Sequence, residues 1–439
     1  MKTMKTTPLR KIRPHAAGID LGSEEIFVAV EEQPVRRFET FTAAMAEAVA
    51  YLKSHSIETV AMEATGIYWI PLYELLEKAS IEVYLVNGAH LKQVPGRKSD
   101  LSDCQWIQQL HSCGLLSAGF VPPEQIRTLR QYWRLREDHI ELAAQHILHM
   151  QKALELMNIK LHKVISQLTG ASGLRIIEAI LAGERDAERL AELCDGRILA
   201  NKRERVVLSL EGHYRAEHLF ALTQALAGWR FYQGQIAECD RAIAAWLAEH
   251  TADLPEQPLK GKPKPIHHNP PQIENLHGQL MQLTAGIDPT IVCCLNDRTI
   301  LGLIAETGLD MTKWSKKSNF YSWLGLAPKT DTSGKRRRKR RQPHNNRAGQ
   351  IFREAAQSLA TTKHPALAGF YRRLRARRGP QVANKAAARK LAGLYYDLMR
   401  YGRQYIEQGL EEYERKYKHQ QVERLTKQAQ ALGLQVIAA

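Results

Sequence analysis

AAGIDLGSEEIFVAVEE, residues 16–32, decides how the chain begins. Small and apolar residues run up to Asp20, Gly22 follows at once, and apolar residues return from Ile26 to Val30. The pattern is strand, tight turn, strand, the signature of a β-hairpin. Further along, FTAAMAEAVAYLKSH (41–55) reads as an amphipathic helix, and ETVAMEAT (58–65) as a short buried strand. YWIPLYELLEKA (68–79) reads as a helix and IEVYLVNG (81–88) as another strand. A further helix is expected from about Ser99. Strands alternating with helical crossovers predict a mixed α/β sheet with helices on its faces.

A length of 439 residues predicts two or three domains. Lys and Arg number 62 against 46 Asp and Glu, giving a net charge of +16. Such an excess calls for a polyanionic partner, nucleic acid or an anionic membrane surface. No apolar run reaches the roughly 18 residues of a spanning helix, so no membrane partner is expected. MKTMKTTPLRKIRPH (1–15) lacks the apolar core of a signal peptide and reads as a flexible basic arm. Cys104, Cys113, Cys194, Cys239, Cys293 and Cys294 are scattered without CxxC spacing, which predicts reduced thiols and a cytoplasmic protein.

From Ile126 the period changes. Ile126, Leu129, Trp133, Ile140, Ala143, Ile147, Met150, Leu154, Met157, Leu161, Val164 and Leu168 keep three- and four-residue steps, interrupted by Arg136. A seam of about six heptads predicts a coiled coil of roughly 65 Å. So narrow a seam suits a partner helix from a second copy; the alternative is a long helix packed within its own chain. GASG (170–173) ends it, and further helices are expected to about His250. TADLPEQPLKGKPKPIHHNPPQ (251–272) carries six prolines and reads as a stiff extended linker. The expected division is an arm over 1–15, an α/β domain over 16–122, a helical, coiled-coil domain over 123–250, a linker over 251–275 and a mostly helical, basic domain over 276–439.

Four acids stand out. Asp20 ends the first strand, Glu63 follows a buried-strand pattern, and Asp100 and Asp103 open the helix of VPGRKSDLSDCQWIQQLHSCGLL (94–116) beside Arg97 and Lys98. Acids favour a first helical turn for the macrodipole alone. The order of one acid on a first strand, one on a later strand and two on a following helix is instead what a ribonuclease-H-like sheet supplies to divalent metal. Mg²⁺, as one ion or two about 4 Å apart, would take these oxygens as ligands, leaving Arg97 and Lys98 for a phosphate.

A second candidate is Ser333 in TDTSGKRRRKRR (330–341). Gly334 would admit a phosphate to the backbone, and Lys335, Arg336, Arg337, Arg338, Lys339, Arg340 and Arg341 would hold nucleic acid. The same residues read equally as a solvated nucleic-acid-binding loop, a localisation-like signal or a simple turn. FYRRLRARRG (370–379), with Arg372 and Arg373, suits phosphate contacts. His146 with His149, and Cys104 with His111 and Cys113, have no metal-ligand spacing, and Cys293–Cys294 reads as apolar packing.

The chain resembles a known family. VPGRKSDLSDCQWIQQLHSCGLL, VAMEATGIYWIPLYELLE, SWLGLAPKTDTSGK and NRAGQIFREAAQSL together resemble the DEDD-type transposases of the bacterial IS-one-ten (IS-eleven-eleven) insertion sequences. The likeness extends through AILAGERDAERLAELCDGRI and FYRRLRARRG. It implies a RuvC-like, ribonuclease-H-like domain whose acids fall on Asp20, Glu63, Asp100 and Asp103, and a C-terminal transposase domain whose nucleophilic serine falls on Ser333. Arg347, in the last of the four motifs, joins the nucleic-acid-binding set. The resemblance also implies donor and target DNA, a structured bridge RNA as guide, and a dimer or tetramer in which one protomer's acids meet another's serine. The family's Gly-rich PGxGxxTA hairpin is replaced here by LNDRTILGLIAETG (295–308). Two other functions compete: a RuvC-like nuclease using metal-activated water, and a non-catalytic nucleic-acid-binding scaffold.

Overall fold

The expected hairpin forms as β1 (Ala16–Leu21) and β2 (Glu25–Ala29), closed by the Gly22 amide donating to the Glu25 carbonyl. The molecule is described from a computed structural model, covering residues 10–64, 66–86, 88, 103–259, 262–328, 330–333, 336–339, 346–362 and 365–402, with scattered positions between 415 and 433. It divides into two compact units, residues 1–121 and 122–439.

In the first unit the hairpin is followed by β3 (Arg36–Glu39), α1 (Thr42–Ser54), β4 (Thr59–Glu63), α2 (Trp69–Lys78), β5 (Glu82–Val86) and α3 (Asp103–Ser112). The sheet runs β3-β2-β1-β4-β5, with β1 to β3 antiparallel and β4 and β5 parallel to β1. Strand β3 escapes sequence reading because it is a short, charged edge in which only Phe38 is buried. Alternation sorts the strand residues between two faces. Ala17, Ile19, Val60 and Met62 pack with Met45, Leu52, Leu72 and Leu76 of α1 and α2. Ala61 and Val86 face Ile107 and Leu110 of α3. Each fully buried Leu or Ile stabilises this arrangement by about 1.5–3 kcal/mol.

Gly18 decides where α3 lies. A Cβ there would collide with the Cys104 carbonyl and the Gln108 amide, so only glycine lets the helix backbone rest on β1. The Gln108 amide also reaches the Ala16 carbonyl, and Ile12 and Arg13 donate to the Ser112 carbonyl. Helix α3 therefore runs antiparallel to β1, with its N-terminus at the strand's carboxyl end.

The second unit begins with α4 (Glu124–Leu156), then α5 (Leu161–Val164), α6 (Ala171–Leu181), α7 (Ala187–Glu192), α8 (Gly196–Leu210) and α9 (Ala216–Thr251). The heptad seam does not continue as one helix to Leu168. Helix α4 stops at Leu156, and Asn158 takes a left-handed φ of 57°. At 33 residues the helix spans about 50 Å.

The partner of the seam also differs from expectation. Leu129, Trp133, Met150 and Leu154 are buried by the chain itself: Met150 and Leu154 cluster with Leu222, Ala225 and Leu226 of α9, and the Trp133 ring lies against Gly302. Arg136, which interrupts the heptads, is wholly buried and donates to Asp240 of α9 at 2.5 Å and to the Asn269 carbonyl at 3.1 Å. An apolar seam specifies that a helix is covered, not which chain supplies the cover. The proline-rich stretch is likewise held, by the Gln272 amide donating to Asp240 and by Lys264 donating to the Val292 carbonyl.

Beyond it lie α10 (Leu276–Leu283), α11 (Asp297–Thr307), α12 (Lys317–Trp323), β6 (Thr330–Ser333), β7 (Arg336–Lys339), α13 (Arg347–Gln357), α14 (Pro365–Arg378) and α15 (Pro380–Tyr401). The segment that departs from the family's glycine pattern is α11. Asn296 and Thr299 cap each other's backbone amides, a complete capping box. Ile300, Leu301, Leu303 and Ile304 are fully buried. Gly302 lets the Trp133 ring approach, since a Cβ there would stand 2.8 Å from it. Helix α4 grips α11 through Arg134, which donates twice to Glu306, and through Glu137, which accepts from Arg298.

Candidate active site

Three of the predicted acids reach one end of the first unit's sheet. Asp20 precedes the last residue of β1 and Glu63 is the last residue of β4. These strands are parallel neighbours with Ile19 beside Met62, so the register sets Asp20 beside Glu63 at their carboxyl ends. Ligands of open α/β sheets bind beyond such ends. Both acids also lie on the α3 face. Asp20 is two residues from Gly18, and Glu63 is two from Ala61, which packs on α3.

Asp103 is the first residue of α3, adjacent to the Cys104 carbonyl that sits over Gly18. The antiparallel course of α3 thus delivers Asp103 to the end of the sheet that bears Asp20 and Glu63. Asp20 and Glu63 are half-buried and Asp103 is exposed. The Glu63 carboxylate lies directly against the α-carbon of Gly88, where a side chain would displace it. Asp100, Arg97 and Lys98 lie outside the described residues.

The donor set is all carboxylate oxygen, the chemistry a hard divalent cation takes. Among the described residues no group of three or more His, Cys, Asp or Glu is closed around a metal position. Three acids are brought to one face and one end; the fourth predicted ligand falls outside the description.

The other end of α3 is held by a set that sequence reading passed over. His111 is fully buried, hydrogen-bonded through Nε2 to Thr59 at 2.9 Å and tilted against the Tyr84 ring at 4.6 Å. Arg13 covers that ring and donates to the Tyr84 hydroxyl at 3.0 Å. Burial, assisted by Arg13, pushes the His111 pKa down to about 4, so the imidazole stays neutral. A histidine seven residues after another helical residue carries no local sign of this role. The small-residue run Ala16–Gly18 is the signal that could have placed α3.

Ser333 is the last residue of β6 and Arg336 the first of β7, and the two are paired across the antiparallel hairpin. Ser333 therefore stands at the closing rung, with Gly334, Lys335, Arg340 and Arg341 outside the described residues. Arg336, Arg337, Arg338 and Lys339 make up β7, a strand where a loop was one expectation. Arg347 opens α13 and donates to Asp138 of α4 at 3.3 Å. Arg372 is exposed and Arg373 half-buried on α14.

Residues 17–159 match the model of DEDD-type transposases of IS110 elements. Residues 295–372 match the model of the transposase IS116/IS110/IS902 family. The chain is an IS110-family transposase. It is thus an enzyme that acts on DNA. No curated protein matches it. The DEDD transposase model runs past the sheet unit to the end of α4, so family likeness and compactness divide this transposase at different places. Its DEDD domain implies a divalent metal, typically Mg²⁺. Among the described residues no helix is long and apolar enough to cross a membrane.

Proposed function

We propose that this transposase cuts and rejoins DNA through Ser333, assisted by divalent metal held by Asp20, Glu63, Asp100 and Asp103. The observation that carries the proposal is the convergence of Asp20, Glu63 and Asp103 on one face and one end of the sheet. Ser333 Oγ attacks a backbone phosphate, forming a phosphoserine link and releasing a deoxyribose hydroxyl. The link conserves the phosphodiester's bond energy for rejoining. Its closing-rung position, beside an all-basic β7, supports this role. Bound Mg²⁺ supplies charge at the scissile phosphate that offsets the negative charge built up on attack. The carboxylates hold that charge in place; without it they would repel DNA.

Arg336, Arg337, Arg338, Lys339, Arg372 and Arg373 are assigned to the nucleic-acid backbone, with Arg97, Lys98, Lys335, Arg340 and Arg341. The guide is a structured bridge RNA that pairs with donor and target DNA. A dimer or tetramer brings the acids of one protomer to the serine of another.

The test is a trapping assay with purified protein, Mg²⁺, the element's flanking RNA and end-labelled donor and target DNA. Denatured products are expected to include DNA that migrates with protein, and Ser333→Ala and Asp103→Ala are expected to abolish it. Cut DNA without an adduct, together with cutting retained in Ser333→Ala, would instead establish a water-using nuclease.

A further inference from the structure

Two adjacent cysteines precede α11. Cys293 and Cys294 follow the short 3-10 turn Pro289–Ile291 and stand just before the Asn296 cap. They are not simple apolar packing. Both are half-buried, and their sulfurs lie 3.4 Å apart in hydrogen-bonding contact. Neighbouring side chains on extended backbone point apart. Here Cys294 holds a φ of 66°, a left-handed conformation that residues with a Cβ rarely take, and the two sulfurs meet.

A cation is seated at the same turn. Lys264 donates to the carbonyls of Thr290 and Val292, and its ammonium interacts electrostatically with both cysteines and with Asp288 and Asp297. The Cys294 thiol is pushed up, first by its hydrogen bond to Cys293 and then by burial. Either sulfur can donate to the other across that contact. Among the described residues no group of three His, Cys, Asp or Glu is arranged around a metal position, so the pair offers two-sulfur chemistry.

We propose that Cys293 and Cys294 form a redox site that closes to a disulfide by exchange with a small-molecule disulfide, with Lys264 stabilising the attacking thiolate. The thiolate of one cysteine attacks one sulfur of the small disulfide, forming a mixed disulfide and expelling a thiolate. The other cysteine then loses its proton to solvent and attacks the Sγ of the first, expelling the second thiolate. The protein loses two electrons and the small disulfide gains them. Closure acts on the turn directly before the α11 cap, immediately ahead of the segment that matches the transposase family.

The test uses the full-length protein and oxidised glutathione, followed by acid quench, alkylation, digestion and mass spectrometry of the peptide carrying both cysteines. The expected peptide has lost two hydrogens and resists alkylation until reduced. Cys294→Ser is expected to collect glutathione on Cys293, and Cys293→Ser to collect it on Cys294, each stopping at the mixed disulfide. Adding Lys264→Met to Cys294→Ser is expected to slow adduct formation about tenfold. A wild-type peptide that stays fully alkylatable across the oxidant series overturns the proposal. So does a disulfide to Cys104, Cys113, Cys194 or Cys239, or a rate indifferent to Lys264→Met. The wild-type arm requires no substituted chain, so misfolding of a variant, seen by circular dichroism, leaves the test intact.

Discussion

The two units of this transposase are held by different means. The sheet of residues 1–121 is sandwiched by apolar side chains on both faces, and its candidate acids sit at the sheet's end, outside that core. The helical unit buries charge: Arg136 with Asp240, and Glu306 with Arg130 and the half-exposed Arg134. Apolar burial is non-directional and tolerates exchange, whereas a buried ion pair fixes which helix meets which at the risk of an unpaired charge. The contrast suggests that packing fixes the height of the acids on the sheet, while ion pairs fix the course of the long helices.

Gly18→Val should break the first half of this contrast most severely. The added side chain meets helix backbone, not a flexible side-chain tip. Destabilisation of roughly 3 kcal/mol or more is expected, read as a lower denaturation midpoint of the sheet unit. An unchanged midpoint would mean that α3 does not rest on β1 at this point.

Asp240→Ala is the corresponding stroke in the helical unit. It removes the nearest partner of the buried Arg136 guanidinium and leaves it the more distant Glu137 carboxylate at 3.4 Å, with an expected loss of about 3 kcal/mol. Replacing both partners with methionine should recover most of that loss, because the desolvation of two charges disappears with them. Failure of the double variant to recover would show that the pair does more than neutralise itself.

A pH series sharpens the comparison. The folded pKa of His111 is lowered from 6.5 to about 4, so the unfolded chain takes up the proton first as pH falls. The contribution of neutral His111 is complete above pH 6.5, declines between 6.5 and 4, and is constant below. His111→Gln should flatten that part of the pH–stability curve. The smallest effect is expected from Arg175→Ala. Its partner Asp195 is exposed as well, and no measurable shift is anticipated in the same melts.

Much of the first unit was legible because its signals are local. The hairpin around Gly22, the alternation in β4 and β5 and the amphipathic α1 and α2 each arise from residues close in sequence. The acids at strand ends were legible for the same reason. Strand β3 was not, because an edge strand is stabilised by its neighbour more than by its own composition. The heptad seam was read correctly as a covered face and incorrectly as a second copy's contact, since period reports burial and not the identity of the cover.

The sequence by itself determined that strands and helices alternate to about residue 121, that a long apolar stripe follows, and that the surplus of cations calls for nucleic acid. Those are sums over short windows or over the whole chain, and they need no fold. Only the tertiary structure decided that Asp103 shares a face and an end with Asp20 and Glu63, because that depends on α3 lying against Gly18, eighty-five residues away in the chain. It likewise decided that Arg136 finds Asp240 and that Cys293 and Cys294 meet each other beside Lys264. Contacts between distant residues are set by packing geometry, which no local pattern encodes.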